Sequence, residues 1–237
     1  MTEQAIERTK NLFKCLFEFI GNSDEYFVTG SLSFLPLLSN YRDTGTDIDV
    51  GISSSLFEKR KVHLKSFDRV HILRLDEVAV ASESKLAHIL SPKTSFMHLH
   101  TKDAMLDISR FTHITSSVDF KLGYGLSLRL SDSFIEKIKI IQWQGIDYRS
   151  APPELAFIPK AICYLQQGTK DIDSSHRNYK NLEDIKRLNA IINWNFIGYL
   201  LQAGGLHWLG KPLPKTIAKM LDPFKANDIM SLQNIEI

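Results

Sequence analysis

Two short segments of the chain combine glycine, serine and aspartate in a spacing that suits phosphate chemistry. Gly30-Ser31 is followed sixteen residues later by Asp47 and Asp49, which are separated by one apolar residue. Alternate residues of an extended strand point to the same face, so the two carboxylates project side by side while their apolar neighbours point toward a core. Adjacent carboxylates repel each other unless a cation lies between them, and hard divalent ions such as Mg²⁺ prefer oxygen ligands. Asp47 and Asp49 are therefore candidate metal ligands.

Gly30 and Ser31 stand where a phosphate could be held. They follow an apolar run over 26–28 and precede a predicted helix over 31–39, which Pro36 shortens or kinks. Glycine allows close backbone approach, and the free N–H groups at the start of a helix can bind a phosphate. A phosphate cradle beside a carboxylate pair indicates phosphoryl or nucleotidyl transfer. The alternative is an ordinary turn next to a chance pair of acids at a strand end.

Length and composition bound the class of protein without choosing its activity. The 237 residues suit one large domain or two small ones, and the net charge of +2 neither demands nor excludes nucleic-acid binding. No apolar run approaches the roughly 20 residues needed to span a bilayer. The N-terminus lacks the pattern of a secretory signal, and two cysteines are too few for a disulfide framework or a zinc site. We therefore expect a cytoplasmic protein that does not bind membranes.

Hydrophobic spacing predicts a mixture of helices and strands up to residue 150 and helices beyond it. The predicted elements are a helix over 5–20, strands over 26–29, 47–52, 70–75, 126–130, 138–143 and 146–149, and helices over 153–167, 178–190, 191–203 and 212–221. The dipeptide Pro152-Pro153 lies where the pattern changes. It marks the predicted boundary between a first domain over 1–150 and a second over 151–237.

A predicted hairpin over 96–111 supplies a third carboxylate. With Lys102 and Asp103 as its loop residues, His98 lies opposite Asp107. An acid flanked by apolar neighbours is costly to bury without a partner. Asp107 is thus either exposed to solvent or the third acid of a metal site, with His98 as its cross-strand hydrogen-bond partner. The other face of the hairpin, which is the better candidate for the core, consists of Met97, Leu99, Leu106 and Ile108.

These motifs resemble the catalytic core of the nucleotidyltransferase superfamily that includes DNA polymerase beta. The resemblance is carried by Gly30-Ser31, by the two aspartates of Asp47-Ile48-Asp49-Val50 and by a later acid in a strand. The flanking Arg42 and Thr46 make the segment most similar to the small-substrate and toxin branches. These are the aminoglycoside and lincosamide nucleotidyltransferases and the nucleotidyltransferase toxins of toxin–antitoxin pairs.

A second block of residues, after the predicted boundary, agrees with this resemblance. It consists of Pro153-Glu154-Leu155, Lys160, Arg177, Lys180 and Asp184-Ile185. The order is similar to the run Pro-Glu-x-Leu, Lys, Arg-x-Lys-Asp-x-x-Asp-Ile in the helical domain of those enzymes. The two blocks together span most of the chain.

The resemblance implies an α/β (α+β) protein in which a mixed nucleotidyltransferase-type sheet, flanked by helices, is followed by a helical C-terminal domain. It implies transfer of a nucleoside monophosphate from an NTP co-substrate to an acceptor hydroxyl, with two Mg²⁺ ions. The implied metal ligands and catalytic groups are Asp47, Asp49 and Asp107. The implied nucleotide-binding residues are Gly30, Ser31, Lys160 and Lys180, and Asp184 would orient a cation.

Several assignments stay open at this stage. Asp107 is the third acid by strand context, and Glu83 and Asp119 are alternatives that lie outside any predicted strand. Asp132 is a further alternative that is more typical of a helix cap or turn. Lys160 and Lys180 could instead be solvated charges on a helix face, which is the commoner fate of a lysine.

The acceptor and partner are also open. An antibiotic, a tRNA end or a protein hydroxyl would each suit the chemistry, and an antitoxin or a second copy of the chain is a candidate partner. Asp171 and Asp173 would suit an acidic cleft for a cationic drug. A basic track for tRNA would use Lys59, Arg60, Lys61 and Lys65, although both sets also suit solvated surface segments. Two other classes remain: a catalytically silent binder of this fold, and an unrelated α/β protein with a structural ion.

Overall fold

A single mixed sheet carries the fold. A computed structural model of the chain describes residues 3–38, 47–72, 97–101, 105–123, 126–167, 182–208 and 211–212. In this part of the chain the strands are β1 (Tyr26–Thr29), β2 (Asp47–Ser53), β3 (Arg69–Ile72), β4 (Met97–His100), β5 (Met105–Ile114), β6 (Ser117–Gly123), β7 (Leu126–Ser131), β8 (Lys139–Trp143), β9 (Ile146–Ser150), β10 (Gly205–Trp208) and β11 (Lys211–Pro212). The helices are α1 (Glu3–Ile20), α2 (Ser54–Arg60), α3 (Pro153–Gln167), α4 (182–189) and α5 (Trp194–Leu201).

The strand order places β2 and β5 at the centre of the sheet. The order is β11-β10-β7-β6-β5-β2-β1-β9-β8. The pairs β2/β5 and β1/β9 are parallel, whereas the remaining described pairs are antiparallel. The first half of β5 also pairs with β4, and its last half pairs with β6. This mixed sheet with flanking helices confirms the predicted fold class.

One face of the sheet packs against α1. Ile48 and Val50 alternate with the two aspartates along β2 and are buried in an apolar cluster that includes Phe13 of α1. The predicted core face of the hairpin lies in the same cluster, and its residues are Met97, Leu99, Leu106 and Ile108. All four are fully buried. The prediction of this core face is confirmed.

The opposite face, which carries the aspartates, packs against the C-terminal helices. Phe27 of β1 stacks on Phe111 of β5 with ring centroids 5.4 Å apart, and Phe134 meets Phe27 edge-on at 5.5 Å. Gly51 leaves room for this packing, because a Cβ atom at that position would overlap the Phe27 ring. The cluster also contains Leu155, Ala156, Phe157, Ile158, Ala161, Ile185, Leu188, Ile197 and Leu200 from α3, α4 and α5. The carboxylates and these helices therefore lie on the same side of the sheet.

The prediction of a helix over 31–39 is wrong. The chain forms two 3-10 turns, Gly30–Ser33 and Leu35–Leu37. An α-helix through this segment would need the nitrogen of Pro36 to donate a hydrogen bond, and proline has no N–H. A long helix therefore does not follow Ser31, and any phosphate site here is built from turn backbone.

Other element boundaries match the predictions closely, with three strands missed. The predicted strand over 70–75 is observed as β3, and residues 73–75 lie outside the described residues. The sequence did not indicate β6, β10 or β11. The expectation that Asp119 lies outside a strand is wrong, because it is in the middle of β6. The predicted turn at Gln144-Gly145 is confirmed, and both residues have positive φ angles, 51° and 79°.

The region after residue 150 contains three of the predicted helices and also contributes strands. Of the helix predicted over 212–221, residue 212 is in β11 and 213–221 lie outside the described residues. The predicted helix over 153–167 is observed with the same bounds, 178–190 is observed in part as α4, and 191–203 is observed as α5. The strand β10 pairs with β7, which belongs to the first predicted domain. The division at residue 150 stays a prediction. Of the helices that the structure describes, none combines the length and apolar character required to cross a membrane.

Candidate active site

The three predicted acids project from one face of two adjacent strands. In the parallel pair β2/β5, Asp49 lies directly beside Asp107, and Asp47 lies two pairs earlier, beside Met105. Neighbouring strands are about 4.8 Å apart, and laterally paired residues point to the same face. Asp49 and Asp107 therefore project together, and Asp47 is close enough for its charge to act on Asp107.

Asp107 is buried and is held by a histidine from the next strand. His98 and Asp107 are a direct cross-strand pair of β4 and β5, which confirms the predicted register. His98 Nδ1 lies 2.6 Å from Asp107 Oδ1. Burial raises the pKa of the Asp107 carboxyl above its usual range, the hydrogen bond and positive charge of His98 lower it in part, and the charge of Asp47 raises it further. The net result is a carboxyl that ionises less readily than an exposed aspartate.

The oxygen donors suit Mg²⁺ in kind, although they do not form a ready-made cage. Three carboxylates on one face are the ligand type that this ion prefers. Across the ranges that the structure describes, no three acidic, histidine or cysteine side chains are grouped closely enough to enclose a metal ion. The side chains would have to rotate toward a common point to hold one. Metal binding by Asp47, Asp49 and Asp107 stays a prediction.

The turn after β1 brings backbone against the Asp49 carboxylate. Thr29, the last residue of β1, pairs with Asp49, and Gly30 follows with φ +63°. A Cβ atom at Gly30 would overlap the carboxylate of Asp49. Glycine is therefore required at this position for two reasons: the left-handed backbone conformation and the close approach to the carboxylate. Ser31, in the same turn, is half-buried.

Two hydrogen bonds that the sequence did not indicate hold this turn. The Ser33 hydroxyl donates to the carbonyl of Gly30 over 2.8 Å. The buried hydroxyl of Tyr148, on β9, donates to the carbonyl of Leu32 over 2.7 Å. Because Tyr148 is 116 residues away in sequence, no local pattern could have identified this contact. The turn is thus closed internally by Ser33 and tied to β9 by Tyr148.

Lys160 belongs to a buried ion pair between two C-terminal helices. Its Nζ lies 2.9 Å from Asp184 Oδ2, and the Asp184 side chain is fully buried while that of Lys160 is 16% exposed. Lys160 is on α3, the helix that packs against the turn Gly30–Ser33. The pairing agrees with the expectation that Asp184 orients a cation. A role for Lys160 in nucleotide binding stays a prediction.

An Asp184→Ala variant is expected to be strongly destabilised. Removing one partner of a buried ion pair leaves an uncompensated charge, which costs about 3–5 kcal/mol of unfolding free energy. Urea unfolding followed by circular dichroism measures this change. The matched control is Glu183→Ala on the same helix, whose pair with Lys186 is solvent-exposed with N–O distance 3.3 Å and should contribute less than about 1 kcal/mol. Equal effects of the two substitutions would contradict a buried structural pair.

Two of the alternative third acids are placed away from Asp49. Asp119 pairs with Thr112 of β5, so it points to the face opposite Asp107, and its Oδ1 lies 3.6 Å from Arg129 Nε. Asp132 begins a 3-10 turn, Asp132–Lys137, which confirms the predicted turn. Seven other residues that the sequence singled out lie outside the described residues, and they are Arg42, Thr46, Glu83, Asp171, Asp173, Arg177 and Lys180. The basic set lies within the described residues, with Lys59 and Arg60 at the end of α2 and Lys61 and Lys65 in the 3-10 turn that follows it.

Solved structures of other proteins have a fold similar to that of this chain. No protein-family model and no curated protein matches the chain. The chain is similar to the crystal structure of a candidate nucleotidyltransferase from Thermotoga maritima, with 17% identity and a TM-score of 0.40, over 76% of this chain and 96% of that one. It is also similar to the lincosamide antibiotic adenylyltransferase LnuA with lincomycin bound, with 15% identity and a TM-score of 0.43, over 81% of this chain and 99% of that one. At these identities and TM-scores neither similarity assigns an activity to this chain.

Proposed function

We propose that the chain is a Mg²⁺-dependent nucleotidyltransferase that transfers a nucleoside monophosphate from an NTP to an acceptor hydroxyl. The observation that carries the proposal is the arrangement of Asp47, Asp49 and Asp107 on one face of β2 and β5, with Gly30 against the Asp49 carboxylate. A dense negative patch is unfavourable for folding unless it is used to bind a cation. A turn whose backbone lies beside such a patch is suited to a polyphosphate.

Each residue has a distinct role in this proposal. Asp47 and Asp49 would bind the metal ions, which when bound neutralise the triphosphate and stabilise the leaving pyrophosphate. Ser31 and the backbone N–H groups after Gly30 would bind the terminal phosphates. Asp107 would accept the proton of the acceptor hydroxyl as its oxygen attacks the α-phosphorus. Pyrophosphate leaves from the opposite side.

The C-terminal helices would complete the nucleotide site. Lys160 is held in one orientation by Asp184 on α4, and its own helix, α3, contacts the turn Gly30–Ser33. A lysine fixed in this way supplies a positive charge with little loss of side-chain freedom on binding. Lys180, outside the described residues, is the second candidate cation.

The acceptor is a small molecule such as an antibiotic, a tRNA or a protein hydroxyl, and one experiment separates these. The purified protein is incubated with Mg²⁺ and each α-labelled NTP, in separate reactions with total tRNA, with aminoglycosides, with lincosamides and alone. We expect one labelled product, and its identity gives both the nucleotide and the acceptor. The control is an Asp47→Asn/Asp49→Asn double variant, which should fold and give no product.

A catalytically silent binder of nucleotide or of a partner such as an antitoxin is the second candidate. It is favoured by the lack, in the described part of the chain, of side chains already grouped around a metal position. A silent binder would be stabilised against thermal unfolding by an NTP without consuming it. Label in the double variant equal to that in the wild type would refute the proposed site. If no product forms and no NTP stabilises the protein against thermal unfolding, a structural role for the acids is favoured.

A further inference from the structure

We propose that His98 is a positioning residue that fixes the orientation of the Asp107 carboxylate. In this role it holds Oδ1 and leaves Oδ2 to face the reacting groups. The inference rests on the proposed function and assigns to the site a residue that neither binds substrate nor ligates metal. Its basis is a row of three side chains across three neighbouring strands.

The row runs Asp49, Asp107, His98 in direct register. Asp49 on β2 pairs with Asp107 on β5, and Asp107 pairs with His98 on β4. All three project from the same face, so Asp107 has the Asp49 carboxylate on one side and the imidazole on the other. His98 is separated from Asp49 by the full width of β5. It is therefore placed to act on Asp107 and not to share a cation with Asp49.

The contact itself is short and shielded from water. His98 Nδ1 and Asp107 Oδ1 are 2.6 Å apart, and the two residues are only 7% and 5% exposed. A hydrogen bond between an N–H group and a carboxylate at this distance is of the strong, charge-assisted type. In a buried setting it is not exchanged for a bond to water. The side chain of Asp107 is consequently held in one rotamer by two rigid strands.

A fixed rotamer matters because Asp107 lies among like charges. Asp47 and Asp49 repel an ionised Asp107, and without a donor on the far side the carboxylate would turn away from them. The hydrogen bond opposes that rotation, since it anchors one oxygen on the side away from Asp49. Partners that orient a ligating carboxylate typically contribute about 10–100-fold in activity or metal affinity.

Two substitutions separate hydrogen bonding from packing. His98→Asn retains an N–H donor at the position of Nδ1, because the asparagine Nδ2 is also attached to Cγ. His98→Leu fills similar space and has no donor. We expect His98→Leu to lower kcat about 10–100-fold with little change in KM for the NTP, and His98→Asn to retain most of the wild-type kcat. The matched control is His113→Leu, which should leave both constants unchanged. His113 is an exposed histidine on the face of β5 that also carries Asp107.

The result is interpretable even when transfer is not observed. Mn²⁺ binding, followed by electron paramagnetic resonance, should weaken about 10–100-fold in His98→Leu and little in His98→Asn. If the three proteins differ in Mn²⁺ affinity in this way but the wild type consumes no NTP, the inference about His98 is retained and the proposed function is refuted. Equal kcat and Mn²⁺ affinity in wild type and His98→Leu would overturn the inference, as would equal losses in the two His98 variants. Protein that neither transfers nor binds Mn²⁺ overturns both.

A measurement on the wild type covers the case in which His98→Leu does not fold. Long-range proton–nitrogen NMR spectra identify which ring nitrogen carries the proton. We expect the Nδ1 of His98 to be protonated and its proton to exchange slowly with water. A ring protonated only at Nε2 would overturn the inference.

Discussion

An Asp107→Asn variant is expected to lose nucleotidyl transfer and to become more stable to heat at neutral pH. The amide oxygen can still accept the hydrogen bond from His98, so the local structure is retained. The amide cannot accept the acceptor's proton or hold a cation by charge. Loss of a general base alone lowers the rate by about 10²–10⁴-fold.

The gain in stability follows from the raised pKa of Asp107. Because burial raises this pKa in the folded protein, the folded state binds the proton more tightly than the unfolded chain does. The wild-type protein therefore loses stability as pH increases from the usual range of an exposed aspartate through the raised pKa, and the loss is complete above it. The asparagine variant has no such titration. Its free energy of unfolding should exceed that of the wild type at neutral pH, with the difference shrinking in acid.

Thermal unfolding at a series of pH values without Mg²⁺ measures this effect. The control is Asp147→Asn, an exposed aspartate on β9, which should leave the melting temperature and the transfer rate unchanged. Added Mg²⁺ and NTP should stabilise the wild type more than Asp107→Asn. A melting temperature of Asp107→Asn below that of the wild type at neutral pH, or retained transfer, would contradict the assigned role.

A Gly30→Ala variant is expected to lose both stability and transfer. Gly30 has φ +63°, and an added Cβ would overlap the Asp49 carboxylate. Backbone strain of this kind costs on the order of 1–3 kcal/mol. The overlap adds to it and displaces either the turn or the carboxylate, so we expect transfer to fall by at least about 10²-fold. Chemical unfolding and the labelled-NTP assay measure the two losses.

Gly145→Ala separates strain from overlap. Gly145 also has a positive φ, +79°, but no atom lies within 4 Å of the position that its Cβ would occupy. This variant should therefore show the backbone strain alone, with transfer unaffected. If Gly30→Ala is no more destabilised than Gly145→Ala and remains active, the close approach of the turn to Asp49 is not needed.

The register of the hairpin that carries Asp107 could be predicted from sequence because it is local. The apolar alternation on both arms of the hairpin fixes which residues face the core, and a short loop then sets His98 opposite Asp107. The strand that carries Asp47 and Asp49 could also be predicted, since its apolar residues alternate with the acids. These features depend on neighbours within about a dozen residues of each other.

The missed features depend on distant contacts or on unusual turns. The hairpin of β5 and β6 turns at Thr115, which has φ 53°, and threonine gives no turn signal of the kind that glycine or asparagine gives. The pairing of β10 with β7 joins residues far apart in sequence. Two 3-10 turns stand in place of the predicted helix over 31–39, because the effect of Pro36 is stronger than the shortening or kink that the sequence predicts. Periodicity alone cannot identify such cases.

The apolar cluster on the carboxylate face of the sheet joins the two halves of the chain. Phe27 and Phe111 come from the strands beside the acids, and Leu155 and Ile185 come from the C-terminal helices. Cutting the chain at residue 150 would expose these rings to water and remove Lys160 together with its partner. The amino-terminal fragment would then present the acidic residues without the layer that shields one side of them. Substitutions in the C-terminal helices should accordingly affect the proposed nucleotide site, even at residues that would not contact a phosphate.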